Sequence, residues 1–506
     1  MVGREGVEPP QLSRRFYRPL GSPHALCRPT WRVARRDGRA AIADSTEPGA
    51  PERGAHAGAH AGALGHDGGV PRGSARYVLA VMVGINFLNY VDRWVGSAVA
   101  PLLQREFHLD DFETGLLGTA FLLVYALATL PFGYWADRGV RRTVIGVGVA
   151  IWSCATVLSG FVQSFTQLFL ARTVLGVGEA SYYPAGTSLL GDYFPKKARA
   201  RAMAIWNAGS AVGIAVGFAG GGLIASAFGW RPAFFLTAIP GLLFAALAFT
   251  IREPLRGAAE QHGPRVRHAD AAHPSTFLAL LRIPTLRALA LVKVALFFVL
   301  ASDAYWLPSA LNRRFDMSVG EAGLFAGGVL VAGALVGTLA GGWVADRSRA
   351  RIPDRGRAER ASLYVGIVGF AAASVLIAVA LLAPFAIFLP AFFLAVAALY
   401  LYTGPYDAVL QNVTSPALRA SAVTITLLIA HLFGDSYAPA AVGLISDTLH
   451  SLTAALLVTS SPLLLLAIAF AAMALPTIGR DTDAMERAWA AAGPDAPPAP
   501  ASTPVG

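Results

Sequence analysis

Four side chains that ionise at neutral pH lie inside long apolar runs: Asp92 and Arg93 within 77–101, and Arg172 and Glu179 within 166–190. A charge in hydrocarbon is costly unless it is paired or hydrated, so such residues are candidates for moving an ion or a substrate. Arg172 and Glu179 are about two helical turns apart and share one helix face. At about 1.5 Å per residue, Asp92 lies roughly 18 Å from Gln104 at the outer end of its run. Arg172 and Glu179 lie roughly 12 and 22 Å from Ser164 at the outer end of theirs. Asp92 therefore falls between them in height. If the two helices are neighbours, Asp92 can meet Arg172 in one conformation and lose it in another. A carboxylate that loses its cation in a dry cavity favours its neutral form and takes up a proton, which makes a workable proton-coupling switch. The competing reading is a static charge cluster that fixes helix packing. Two carboxylates exceed what Arg172 alone neutralises, which counts against it. Arg93 either completes the balance or faces lipid headgroups.

Other polar groups recur at membrane depth. Asn89, Tyr90, Arg93, Tyr182, Tyr183 and Asn207 are candidates for a cavity wall in the first part of the chain. Asp303, Tyr305 and Trp306, followed by Pro308, suggest a gating break, although a proline alone gives a kink. His431 and Asp435 are four apart and share a face, suited to a cavity wall or proton transfer, or to a buried and satisfied histidine. Lys293 is placed near a helix end, where it can snorkel.

The elements that must carry these residues follow from composition. The 506 residues are 55% hydrophobic and 14% charged, against roughly 25% charged in soluble domains. The deficit runs along most of the chain, as a bilayer requires. The net charge of +10 falls in short gaps between apolar runs and in the N-terminal stretch, which argues against a nucleic-acid-binding face. Cys27 and Cys154 support no disulfide framework.

Membrane helices need about twenty mostly apolar residues. Spans are expected near 77–101, 114–136, 142–163, 166–190, 199–225, 230–250, 286–311, 320–344, 361–382, 385–411, 418–446 and 451–476. Lys and Arg concentrate in alternate gaps (Arg138, Arg141 and Arg142; Lys196, Lys197, Arg199 and Arg201; Arg347 to Arg360), which puts those gaps and both termini in the cytoplasm. The expected fold is an all-α membrane protein of twelve transmembrane helices in two six-helix pseudo-symmetric halves, 76–250 and 286–478. A cytoplasmic linker at 251–285 joins them. Residues 1–75, with low-complexity sequence at 54–69, read as a disordered cytoplasmic extension or as sequence upstream of a true start near Ser74. Residues 479–506 read as a disordered tail.

The halves echo each other. Residues 133–142 read GYWADRGVRR and residues 342–351 read GWVADRSRAR. Repeated halves are a common build for secondary transporters, with the substrate site between them near the midplane. Gly133, Asp137, Arg138, Arg142, Asp346 and Arg347 are the expected cytoplasmic gate. Asp137 is suited to face the positive N-terminal end of a second-half helix when that gate shuts. For Arg141 and Arg142, topology charge alone suffices. In the fifth span Gly209, Gly213, Gly217 and Gly221 put small residues on one face, where another helix can come close.

With these motifs the chain resembles the major facilitator superfamily. GYWADRGVRR is similar to its loop signature, and Arg172-TVL-Gly176-V-Gly178-Glu179-Ala180 to its fourth-helix pattern. NYVDR at 89–93, GEASYYP at 178–184 and FGWRPAFF at 228–235 look like both the Spinster family and the anion:cation symporters. Gln411-NVTSP with Arg419-ASA, then His431-LFGDSYAP and Gly443-LISD, resemble the Spinster tenth-to-eleventh helix region. The resemblance covers 78–476. It implies that the first and fourth helices are neighbours, that coupling runs through Asp92, Arg172 and Glu179, and that substrates are lysophospholipids, sphingoid lipids or related amphiphiles.

The chain contains no GxxxxGK[ST], HExxH or GxSxG motif, so ATP-driven transport and those hydrolase chemistries have no support. The expected activity is proton-coupled secondary transport of a lipid-derived or amphiphilic anion by alternating access, without enzymatic chemistry or a cofactor. The proton gradient is the driving force, and a monomer in the inner or plasma membrane, in contact with membrane lipids and not nucleic acid, is the expected form. An organic-anion or sugar-acid symporter is the first alternative, and would need Arg172 to bind a substrate carboxylate. A membrane receptor or scaffold that keeps the fold without transport is the second; intact signatures in both halves weigh against it.

Overall fold

The computed structural model describes residues 72–256, 258–259 and 278–492. The N-terminal extension up to residue 71, most of the expected linker and residues 493–506 lie outside the described residues.

Apolar runs of this length, with no water to satisfy their backbone, are stable only as helices. The first half holds α1 (Arg72–Ala98), α2 (Ala100–Phe107), α3 (Asp111–Arg138), α4 (Arg141–Ser159), α5 (Phe165–Glu179), α6 (Tyr182–Tyr193), α7 (Lys196–Phe228) and α8 (Trp230–Phe249). The second half holds α9 (Pro284–Phe315), α10 (Val319–Ala350), α11 (Arg355–Leu382), α12 (Phe385–Tyr400), α13 (Thr403–Asn412), α14 (Arg419–Ala430), α15 (Ala438–Leu449), α16 (Leu452–Ala474) and α17 (Ile478–Ala492). Among the described residues, 11 helices are long and apolar enough to cross a membrane. The expected fourth span is broken between Glu179 and Tyr182 into α5 and α6, of 15 and 12 residues.

The glycine face of α7 packs on α1 as its spacing requires. A Cβ at Gly213 would come within 2.4 Å of Phe87 O, and one at Gly217 within 2.9 Å of Val91 O. Hydrogen bonds between the halves gather at the end away from the basic loops, here called the far end. Ser97 Oγ donates to Tyr305 O, Tyr305 Oη to Thr114 O, Ala440 N to Thr119 Oγ1, and Arg313 to Asp111. At the basic end Asp137, Arg138, Asp346 and Arg347 are exposed, and no atom would lie within 4 Å of a Cβ at Gly133 or Gly342.

Four local expectations are revised. Arg141 is not a loop charge: it is fully buried, donating to Glu253 Oε1 at 2.7 Å, to Pro254 O at 3.1 Å and to Asp192. Its position, one residue into α4, points it inward rather than to water. Arg142, beside it, donates through Nη1 to Ile251 O at 3.1 Å. Lys293 does not snorkel, because Asp407 of α13 comes to 3.0 Å of its Nζ. The tail expected to be disordered from 479 is helical through Ala492. Ile478 is buried there, and Asp481 Oδ2 accepts from Thr285 N at 3.0 Å and Thr285 Oγ1 at 2.7 Å, which anchors α17 to the start of α9.

Candidate functional site

The charged residues of α1 and α5 converge. Arg93 donates to Glu179 Oε2 through Nη2 at 3.0 Å and through Nε at 3.3 Å. Three rings surround that guanidinium, with centroids at 4.7 Å for Tyr125 and 5.1 Å for both Tyr90 and Phe121. A cation over aromatic faces keeps part of the stabilisation it loses with its water. Glu179 is fully buried, its Oε1 accepts no hydrogen bond, and Asn89 lies beside it with an unpartnered amide.

Arg172 is bound differently. Its Nη1 donates to Asp92 O and its Nη2 to Arg93 O, both at 3.4 Å, and its guanidinium lies 5.3 Å from the Phe121 centroid. The space exists because residue 96 is glycine: a Cβ there would sit 3.1 Å from the guanidinium carbon. The Asp92 carboxylate is fully buried, and neither oxygen accepts a hydrogen bond from any of the described residues. Thr237 lies beside it, but its hydroxyl donates to Phe234 O at 3.1 Å. The structure thus brings Asp92, Arg93, Arg172 and Glu179 together, with Arg93 as the partner of Glu179 and the Asp92 carboxylate unpaired.

Helix irregularity coincides with these charges. The α5–α6 break follows Glu179 directly, and a π-helical turn at His431–Asp435 interrupts the span made by α14 and α15. Such interruptions recur where membrane transporters bind ions or substrate. His431 Nδ1 lies 2.7 Å from Asp435 Oδ2, and the His431 ring packs on Tyr125 at 6.1 Å, across the interface between the halves. Tyr125 therefore touches both Arg93 and His431.

The remaining expected residues are dispersed. Tyr182 donates to Asn86 Oδ1, while Tyr183 is exposed and stacks on Trp206 at 5.0 Å. Asn207 is exposed. Helix α9 runs unbroken through Pro308, so Asp303, Tyr305 and Trp306 form no break. Asp303 is buried and accepts from Ser460 Oγ at 2.6 Å, and Trp306 Nε1 donates to Pro439 O at 3.0 Å. Sequence reading passed over Phe121 and Tyr125, although their i, i+4 spacing puts them on one face of α3. It also passed over the far-end group of Gln104, Asp111, Arg313 and Ser446, where polar residues at helix ends looked like ordinary loop polarity.

Eleven helices among the described residues that are long and apolar enough to cross a membrane, with buried charges beside interrupted helices, are the build of a membrane transporter. Residues 82–439 match the model of the Major Facilitator Superfamily, and the chain belongs to that superfamily. Within it, the chain is a member of the Spinster family. It is 30% identical over 399 residues to protein spinster homolog 1 of Homo sapiens, covering 76% of this chain and 75% of the human one. It is 29% identical over 450 residues to the probable sphingolipid transporter spinster homolog 2 of Arabidopsis thaliana, covering 83% and 90%. Among solved structures it is similar to a bacterial homolog of the human lysosomal transporter Spinster in an inward-facing, unoccupied conformation. That match has a TM-score of 0.69 at 27% identity and covers 83% of this chain and 99% of the other.

Proposed function

We propose that this Spinster-family transporter couples the movement of a lipid-derived or amphiphilic anion to protons by alternating access, and that the state described here is open to the cytoplasm. The observation that carries the reading is the buried Asp92 carboxylate, left without a partner while Arg172 binds backbone carbonyls next to it. A buried carboxylate that accepts no hydrogen bond and forms no ion pair is favoured in its neutral form, and on this reading the state described here holds a proton on Asp92. A swing of Arg172 from the carbonyls to the carboxylate would expel it. Glu179 and Arg93 form the second charge pair, and substrate that competes for Arg93 frees Glu179.

The lipid-derived substrate is supported by the Arabidopsis relative's name, and cytoplasmic opening by the exposed basic end and the inward-facing relative. On this reading the basic loops and both termini are cytoplasmic, the protein sits in the cell membrane, and Asp137 and Asp346 close the inner gate in the opposite state. The test is a thermal-shift screen of the purified protein against lysophospholipids, sphingoid bases and small organic acids, since a ligand that binds the folded state raises its melting temperature. Stabilisation by an amphiphile and not by organic acids is expected. Stabilisation by a small dicarboxylate alone contradicts the lipid reading.

A further inference from the structure

The far end contains a repeated arrangement. The α2 segment Gln104-Arg105-Glu106-Phe107-His108 and the α9 segment Asn312-Arg313-Arg314-Phe315-Asp316 both end on a left-handed residue, with φ of 53° at His108 and 47° at Asp316. Each leads into a reciprocal cap, Asp110 with Glu113 before α3 and Ser318 with Glu321 before α10. The first turns of α3 and α10 are thus equivalent parts of the two halves. The helices that face them repeat as well: Gly222-Leu-Ile-Ala-Ser226 in α7 and Gly443-Leu-Ile-Ser-Asp447 in α15.

These two repeats meet across the interface between the halves. The Asp447 carboxylate accepts from Asp111 N at 3.0 Å and from Phe112 N at 2.8 Å. Ser226 Oγ accepts from Gly320 N at 2.7 Å. The preceding glycines let the helices touch: a Cβ at Gly443 would lie 2.2 Å from Asp111 O, and one at Gly222 would lie 2.6 Å from Val319 O. First-turn N–H groups have no partner in their own helix, so each first turn is capped by the opposite half. A carboxylate at the positive end of a helix gains more than a hydroxyl does. The Asp447 contact is also reinforced. Arg313 Nη1 donates to Asp111 Oδ2 at 2.8 Å, and Ser446 Oγ donates to the same oxygen at 2.6 Å.

We propose that the far end is held shut by two pseudo-equivalent cap latches, Asp447 on the first turn of α3 and Ser226 on the first turn of α10, with the Asp447 latch dominant. Opening the far end withdraws both caps and returns those N–H groups to water. Asp447 and Ser226 therefore set the balance between the two access states without touching substrate or proton.

Spin labels at Gln163 and Thr448, in a background with Cys27 and Cys154 replaced, report the far-end opening by pulsed dipolar spectroscopy. The parent should give one short distance. Loss of a cap should raise the open fraction about fivefold in Asp447→Ala, and by less in Ser226→Ala. Asp447→Ser, which copies the weaker latch, should fall between the parent and Asp447→Ala. A cap that only adds stability lowers the melting temperature without changing the distances. A monodisperse Asp447→Ala protein with the parent distribution overturns the proposal, as does a larger shift from Ser226→Ala than from Asp447→Ala. If Asp447→Ala does not fold, Asp447→Ser decides: a longer-distance component is expected, and the parent distribution overturns it.

Discussion

Arg172 donates to the backbone carbonyl of Asp92 at 3.4 Å and leaves the carboxylate of the same residue without a hydrogen bond. Acid and cation are neighbours that are not paired, the arrangement a protonation switch needs in the state that carries the proton. On the proposed coupling, whether the guanidinium reaches the carboxylate decides its charge.

That position depends on Gly96. A methyl group there would meet the Arg172 guanidinium at 3.1 to 3.2 Å, tighter than ordinary contact. Gly96→Ala should displace Arg172 and reduce gradient-driven transport about tenfold while the protein still purifies as a folded species. Initial-rate uptake in proteoliposomes, read beside a size-exclusion profile, checks this.

The Arg93–Glu179 pair is buried and asymmetric in its supports. Arg93 also has its aromatic cage, whereas Glu179 has, among the described residues, only Arg93 as a cation in hydrogen-bonding contact. Removing Arg93 leaves a buried carboxylate unpaired, with an expected cost of about 3 kcal/mol. Arg93→Ala should therefore lower the melting temperature more than Glu179→Gln, and the double substitution should recover part of the loss, as a double-mutant cycle of melting curves in detergent would read.

Helix approach through glycine gives a prediction confined to the fold. Gly213 lies under Phe87 O, whereas a Cβ at Gly220 would find only Val216 of its own helix, at 3.6 Å. Gly213→Ala should destabilise by about 1–3 kcal/mol, as overpacking does. Gly220→Ala should be neutral or slightly stabilising through helix propensity. Thermal melts of the two variants side by side distinguish them.

Much of this was legible in the sequence. Span length fixed the helices, because a bilayer leaves no other use for twenty apolar residues, and buried charge marked Asp92, Arg172 and Glu179. Pairing was not legible. Residue rise puts Arg93 nearer than Arg172 to Glu179 in height, but the rotation of the first helix, which spacing does not give, decides whether Arg93 faces the fourth helix or the lipid. The aromatic cage was hidden because Phe and Tyr are ordinary membrane residues. Cap contacts between halves depend on tertiary approach that no local pattern encodes. Asp447 lies inside a motif that carries the family resemblance, and nothing in that motif shows that its carboxylate accepts from the first turn of α3.

Outside the membrane, Glu106 sets a pH dependence. Partial burial raises its pKa, but hydrogen bonds from Trp230 and Arg231 and the Arg231 charge outweigh this and hold it below the usual carboxylate range. A depressed carboxylate contributes stability above its unfolded pKa, near 4.3, and loses it as pH falls through the lower folded value. The parent should lose a small increment of thermal stability below about pH 4 that Glu106→Gln lacks. Melting curves of both proteins between acid and neutral pH measure it.

The coupling role of Asp92 is tested most directly by substrate flux in proteoliposomes with and without an imposed pH gradient, comparing the parent with Asp92→Asn. Asparagine mimics the neutral acid and cannot release a proton. The parent should respond to the gradient. Asp92→Asn should exchange substrate across the membrane at a rate within a few fold of the parent, yet show no response to the gradient. A gradient response in Asp92→Asn equal to the parent's would contradict proton coupling at this residue.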